Sequence, residues 1–191
     1  MSLATRLQER LRSTLGGGAP GVALPVPPVG FTDGTVALRP WRPSDGLDLS
    51  ALCDDPEIHR FTAVPRDYPA REAAGNAAFA EEQRLEGRGV HLAITDAHDA
   101  VLLGAIDLAV SGPDRDVGRV SFLLGAAARG EGHATRAVRL LEGWAFRTVG
   151  VGGLELRPQR ENAAAIAVAD RCGFVRGTDG GDGRVTFTRP A

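Results

Sequence analysis

FLLGAAARGEGHATRAV, residues 122–138, changes character twice. Strand-like apolar residues end at Leu124, and a run of Gly and Ala follows. From Gly132 onward the apolar positions Ala134, Ala137, Val138, Leu141, Trp144 and Ala145 recur at helical spacing. Small residues let a ligand come close to the backbone. The first turn of a helix offers unpaired N–H groups and the positive end of its dipole. Strand, small-residue loop and helix start in succession predict an anion site suited to a pyrophosphate. A Walker loop is excluded, because all 22 basic residues are Arg and no Lys is present. A dinucleotide fingerprint also fails, since GEG at 130–132 is followed by Ala134 and Thr135 rather than by the spacing GxGxxG.

Working outward, three strand-like runs lead to this segment: VHLAIT (90–95), VLLGAIDLAV (101–110) and GRVSFLL (118–124). The gaps between them carry turn chemistry, which predicts an antiparallel meander. TVALRPW (35–41) reads as an earlier strand. Ser44 is expected to cap a helix to about Cys53, DPEIHRF gives a short helix, and 69–86 a longer one. After the 132–148 helix come a strand at 154–156 and a helix at 162–172 closed by Gly173. FVRGT and RVTFTR form a final hairpin around GGDG. The expected fold class is α/β (α+β): a mixed, mostly antiparallel sheet of six to seven strands with helices on both faces.

Three segments divide the chain. Residues 1–15 carry Leu3, Leu7, Leu11 and Leu15 on an amphipathic helix that docks on its own domain or on a second subunit. Residues 16–30 are a Gly/Pro-rich linker, and the single folded domain spans 31–191, starting near Phe31. Of the 191 residues, 43% are hydrophobic and 24% charged, as in ordinary globular proteins. No run has the ~18 apolar residues of a membrane span. A net charge of −2 gives no basic field for nucleic acid. Cys53 and Cys172 lack metal spacing and read as buried thiols of a cytoplasmic protein. The arginine-only, Gly- and Ala-rich composition points to a GC-rich, bacterial genome.

The spacing Arg129-x-x-Gly132-x-Ala134 resembles the coenzyme A loop of the GNAT acetyltransferases: Arg or Gln, two residues, Gly, one residue, then Gly or Ala. ENAAAIAVADRCGF (161–174) looks like the Asn-x-x-(Ser/Ala)…Gly-Phe segment of the same superfamily. TVALRPWRPSD (35–45) is similar to the opening of its RimJ/RimL-type branch. The three matches run in order from about Thr35 to Thr188. The resemblance implies the GNAT fold and an N-acyltransferase that moves an acetyl, or other short acyl, group from acetyl-CoA to a primary amine. The acceptor is a protein N-terminus or a small amine, no metal is required, and family analogy suggests a homodimer.

By the same resemblance, backbone N–H groups of Arg129, Gly130, Glu131, Gly132, His133 and Ala134, with Thr135 behind them, hold the pyrophosphate. Phe122, Leu123 and Leu124 pair with the pantetheine arm, the N–H of Leu124 faces the thioester carbonyl, and Asn162 contacts the pantetheine or a nearby water. His133 packs in the loop or meets the adenine side, and Arg129 offers a guanidinium near phosphate. The acid and base stay open. Relatives carry an acidic residue in the fourth strand where Arg119 stands, the family Ser near Ala165 is absent, and the sole tyrosine is Tyr68. Asp107, inside the apolar run GAIDLAV, either pairs within the core or faces the cleft as the catalytic carboxylate. Glu57 and His59 lie on the acceptor side or simply on the surface; Trp41 and Trp144 read as core. A second reading keeps the CoA loop in a sensor or scaffold module without turnover.

Overall fold

The computed structural model describes residues 21–111, 116–179 and 181–191. The expected helix over 1–15 and the first part of the linker lie outside the described residues. Alternating apolar side chains build seven strands: β1 Val36–Pro40, β2 Gly89–Asp96, β3 Leu102–Ser111, β4 Val117–Leu124, β5 Gly153–Leu156, β6 Val175–Asp179 and β7 Val185–Pro190. They form one sheet in the order β1-β2-β3-β4-β5-β7-β6. Every neighbouring pair is antiparallel except β4 and β5, which are parallel. The mixed, mostly antiparallel sheet matches the expectation from patterning.

Six α-helices accompany the sheet among the described residues: α1 Gly46–Cys53, α2 Pro56–Phe61, α3 Ala70–Ala74, α4 Asn76–Leu85, α5 His133–Trp144 and α6 Ala163–Arg171. The period of two gives β2, β3 and β4 one wholly apolar face, with Leu92, Ile106, Leu108 and Val120 buried. Helical spacing on α5 turns Ala137, Val138, Leu141 and Trp144 to that face, where Val168 and Ala169 of α6 join them. On the opposite face Trp41, Leu49, Cys53, Ala73, Ala80 and Ala93 make a smaller core beneath α1, α3 and α4.

One mismatch in strand length shapes the molecule. β3 stays paired with β4 as far as Leu124. β5 accompanies β4 only over Val117–Val120. The last four residues of β4 therefore have a neighbour on one side only, and the sheet opens there as a wedge.

Three local expectations need correction. The fold does not wait for Phe31: Leu24, inside the Gly/Pro-rich stretch, is 1% exposed. Its N–H donates to Arg84 O at 2.9 Å, and Arg84 Nη1 donates to Leu24 O at 2.6 Å. One large apolar side chain with backbone partners docks a segment whose composition favours a free tether. Ser44 does not cap α1. Asp45 does the fastening instead, since its Oδ2 accepts the Arg42 N–H at 2.8 Å across the single turn Pro43–Asp45. The helix expected over 69–86 is two helices, α3 and α4, joined at Gly75, where the missing side chain weakens helical continuity.

Candidate active site

The end of β4 presents its backbone in a definite order. Gly125 N–H donates to Leu103 O at 3.0 Å, extending the β3–β4 ladder. Residues of an antiparallel pair alternate between exchanging both backbone bonds with the partner and turning both groups away. Counting back along this register, Leu123 and Ser121 face β3, while Leu124 and Phe122 turn their N–H and C=O toward the wedge. The Leu124 carbonyl is occupied there by the guanidinium of Arg129, whose Nε and Nη2 donate at 3.0 and 2.9 Å. Arg129 Nη2 also meets Asp55 Oδ2 at 2.8 Å. Burial alone would raise the Asp55 carboxyl. The Glu57 N–H and the Arg129 guanidinium outweigh it and hold Asp55 below its ordinary value. The side chain of Arg129 is thus engaged at the strand end.

The loop after β4 is shaped by two left-handed glycines, Gly130 at φ 86° and Gly132 at φ 78°. A Cβ on either would project into open space, so the requirement is conformational and not crowding within the fold. No side chain caps α5. The first N–H returned to the helix is that of Arg136, to Gly132 O, so the amides of His133, Ala134 and Thr135 stay available for an anion. His133 does not face outward: its Nδ1 lies 3.0 Å from Ala128 O and pins the loop on itself. Glu131 is exposed and stands outside the cavity wall.

Beneath the loop lies a cavity of about 350 Å³. The loop residues Arg129, Gly130, Gly132 and His133 line it, together with Ala134 and Thr135 on the first turn of α5. The wedge residues Phe122, Leu123 and Leu124 line it from the sheet, with Asn162 from the start of α6. Asn162 owes its placement to capping, since its Oδ1 accepts the Ala165 N–H at 3.0 Å. Glu57 reaches this wall. His59 does not, and its Nδ1 sits 3.3 Å from Val64 O.

A second cavity, of about 250 Å³, opens on the α1 side of the sheet. The two cavities share Phe122, Leu123, Phe61, Thr62, Asn162 and Ala165. They therefore meet at the wedge. Asp107 lines the second cavity, so it faces the cleft and is also paired. Its Oδ1 accepts from His91 Nδ1 at 2.8 Å and its Oδ2 from Ser121 Oγ at 3.3 Å. His91 and Ser121 are functional candidates that sequence reading missed. The available signal was one polar residue in each of three consecutive, largely apolar strands, which only the hairpin register brings side by side. Cys53 and Tyr68 share this wall. Burial pushes the Cys53 thiol up to about 12 and also raises the Tyr68 phenol, so both are neutral near pH 7.

The family model described as an acetyltransferase (GNAT) domain matches residues 35–175. No curated protein matches the chain significantly. Among solved structures, RimJ of Mycobacterium smegmatis in complex with CoA-disulfide is similar, with TM-score 0.74 and 19% identity over 83% of each chain. RimL, a ribosomal L7/L12 alpha-N-protein acetyltransferase in complex with coenzyme A, gives TM-score 0.72 and 15% identity over 82% of this chain and 94% of that one. The ribosomal-protein-S5-alanine acetyltransferase of Vibrio fischeri gives TM-score 0.72 and 13% identity over 82% and 93%. At these identities the likeness establishes the fold.

Proposed function

The chain belongs to the GNAT acetyltransferase family, and on that premise we propose how its two cavities transfer an acyl group from acetyl-CoA to a primary amine. One observation carries the reading: the cavity under the α5 loop and the cavity bearing Asp107 meet where β4 has lost β5. The left-handed glycines Gly130 and Gly132 and the unpaired amides of His133, Ala134 and Thr135 suit a diphosphate, which a side chain at Gly132 would obstruct. The outward N–H and C=O of Phe122 suit an extended amide-bearing arm, which would add to the sheet edge as a strand does.

Acetyl-CoA supplies the activated carbonyl. The catalytic groups this chain contributes are the backbone N–H of Leu124 and the carboxylate of Asp107. An N–H fixed in advance toward a carbonyl oxygen that gains charge supplies about 3 kcal/mol. The amine arrives mainly as ammonium, because a free side-chain amine has a pKa near ~10.4 and an N-terminus near ~8. Asp107 accepts its proton, directly or through Ser121 or water, with His91 holding the carboxylate in place. A module that only bound CoA would have no use for a second, adjoining cavity lined by a carboxylate.

The ribosomal-protein acetyltransferases among the structural neighbours support a polypeptide N-terminus as one acceptor class, beside small amines. Free Cys53 and Cys172 support a cytoplasmic setting. The spacing of Leu3, Leu7, Leu11 and Leu15 in the sequence supports a homodimer as the assembly. No step of this chemistry calls for a metal, and the composition supports a bacterial source. The test is release of free thiol from acetyl-CoA with a panel of amines. Turnover is expected; CoA binding with no thiol release from any amine would leave a binding module.

A further inference from the structure

Asp55 holds two elements with one carboxylate. It is the N-cap residue of α2, and its Oδ1 accepts the Glu57 N–H at 2.8 Å. Its Oδ2 meets Arg129 Nη2 at 2.8 Å. Arg129 in turn donates to Leu124 O. The peptide unit between Leu124 and Gly125 is therefore fixed from both sides, its C=O by Arg129 and its N–H by Leu103 O. The Leu124 N–H that turns toward the wedge lies one peptide unit earlier.

The far end of α2 gives this link its consequence. Phe61 and Thr62 line both cavities, so they border the place where thioester and amine meet. The other side-chain hydrogen bonds and ion pairs of α2 among the described residues are local. Thr62 Oγ1 donates to Ile58 O at 2.6 Å, and His59 Nδ1 sits 3.3 Å from Val64 O. Ile58 is buried, but apolar burial is non-directional and leaves the helix free to slide. The arginine side chain of the pair is 36% exposed, so the pair adds little to stability. What it fixes is geometry.

We propose that Asp55 is a positioning residue of the transfer reaction: through Arg129 it sets α2, and with it Phe61 and Thr62, against the strand end that bears the Leu124 N–H. This rests on the acyl-transfer reading above. CoA on the loop after β4 steadies the backbone that carries Arg129, and the same ion pair passes that restraint to α2.

The experiment compares wild type with Asp55→Asn, Arg129→Met and the double variant. Asn remains a good N-cap, but its second group is an NH2 that cannot accept from Arg129. Asp55→Ser, which also caps and lacks a second oxygen, serves as a control. A misplacement of about 1 Å lowers catalysis ~10²-fold, so kcat in Asp55→Asn and Asp55→Ser is expected to fall by about tenfold. Melting temperature and the Kd for CoA should stay near wild type. The double variant should be no slower than Arg129→Met, because the two residues act as one unit. Hydrogen exchange gives a readout independent of turnover. CoA should slow exchange at the His59 and Thr62 amides, bonded to Asp55 O and Ile58 O, in wild type and not in Asp55→Asn with CoA still bound.

Wild-type kcat in Asp55→Asn, losses that multiply in the double variant, or a melting temperature that falls in step with kcat overturns the positioning role. Equal CoA protection of α2 in wild type and Asp55→Asn overturns the link while acyl transfer stands. No thiol release from any amine, with CoA protection of α2 present only when Asp55 is, removes acyl transfer and leaves the link.

Discussion

Arg129 holds the carbonyl of Leu124 through two guanidinium nitrogens, at 3.0 and 2.9 Å. The last residue of β4 has no β5 partner, and a side chain from the following loop replaces it. The same arginine meets Asp55 at 2.8 Å, so strand end, loop and the start of α2 are tied to one cation. Arg129→Met removes the tie while leaving the loop backbone unchanged in sequence. A misplacement of about 1 Å at the wedge is enough to lower catalysis ~10²-fold, so kcat/KM is expected to fall by about tenfold or more. The melting temperature should move little, because Arg129 is exposed. Steady-state kinetics beside a thermal melt separate the two effects.

Gly132 stands at φ 78° with open space where a side chain would project. Gly132→Asp puts a carboxylate beside the amides proposed to hold a diphosphate, and Asp tolerates the left-handed conformation better than most residues. The fold should persist. Wild type with CoA at 100-fold its dissociation constant gains about 2.7 kcal/mol of stability, and the variant should gain none. A normal CoA-induced shift in Gly132→Asp would refute the loop assignment.

The meander, the small-residue loop and α5 were legible because each rests on local patterning: alternate apolar residues in β2 to β4, and small residues giving way to a helical stripe at Gly132. What escaped depends on contacts distant in sequence. The His91–Asp107–Ser121 row exists only once hairpin register is fixed, and a slip of one residue would turn His91 to the other face. The role of Arg129 was hidden because a guanidinium beside a glycine loop suits phosphate as well as a backbone carbonyl. Leu24 was hidden because one apolar residue among Gly and Pro gives no period. Asp107 was read as either paired or facing the cleft, and its two oxygens allow both.

Asp107→Asn preserves shape and removes the charge that accepts a proton. General-base loss of this kind lowers rates by ~10² to 10⁴. The fall should appear in kcat with acetyl-CoA saturating, while CoA affinity stays near the wild-type value, because Asp107 lines the second cavity and not the first. CoA titration and amine kinetics on the same preparation check both halves. Full activity in Asp107→Asn would move the base elsewhere.

Acid should loosen the fold through Asp45. Burial would raise its carboxyl, but hydrogen bonds from Arg39 and the Arg42 N–H, with the charges of both arginines, hold it below the ordinary value. A carboxyl lowered in the folded state binds fewer protons there than in the unfolded chain. Its contribution is therefore present above the unfolded value of about 3.9 and is lost as pH falls through the lower folded value. Asp99, bridged to Arg39 and Arg42, is lowered in the same sense. Urea unfolding between pH 7 and pH 3 should show stability dropping at the acid end. In Asp45→Asn stability should be lower at pH 7 and the acid slope shallower. An identical slope in the variant would place the acid sensitivity in other carboxylates.

Gly104 lies opposite Leu124 in the β3–β4 register. A Cβ there would stand 2.1 Å from Leu123 O and 3.0 Å from Leu124 Cα. Both are backbone atoms of the strand end, so neither can swing aside as a flexible side chain would. Gly104→Ala can be accommodated only if the end of β4 moves off β3, and this is the part of the strand β5 no longer supports. The substitution should then lower stability and catalysis together, unlike Arg129→Met, which acts mainly on catalysis. Hydrogen exchange provides the local readout. The Gly125 amide, bonded to Leu103 O across this point, should lose protection in Gly104→Ala, while amides of Val117–Val120, paired on both sides, keep theirs. Uniform loss of protection along β4 would mean that the sheet yields as a whole and that the wedge is not a separate mechanical unit.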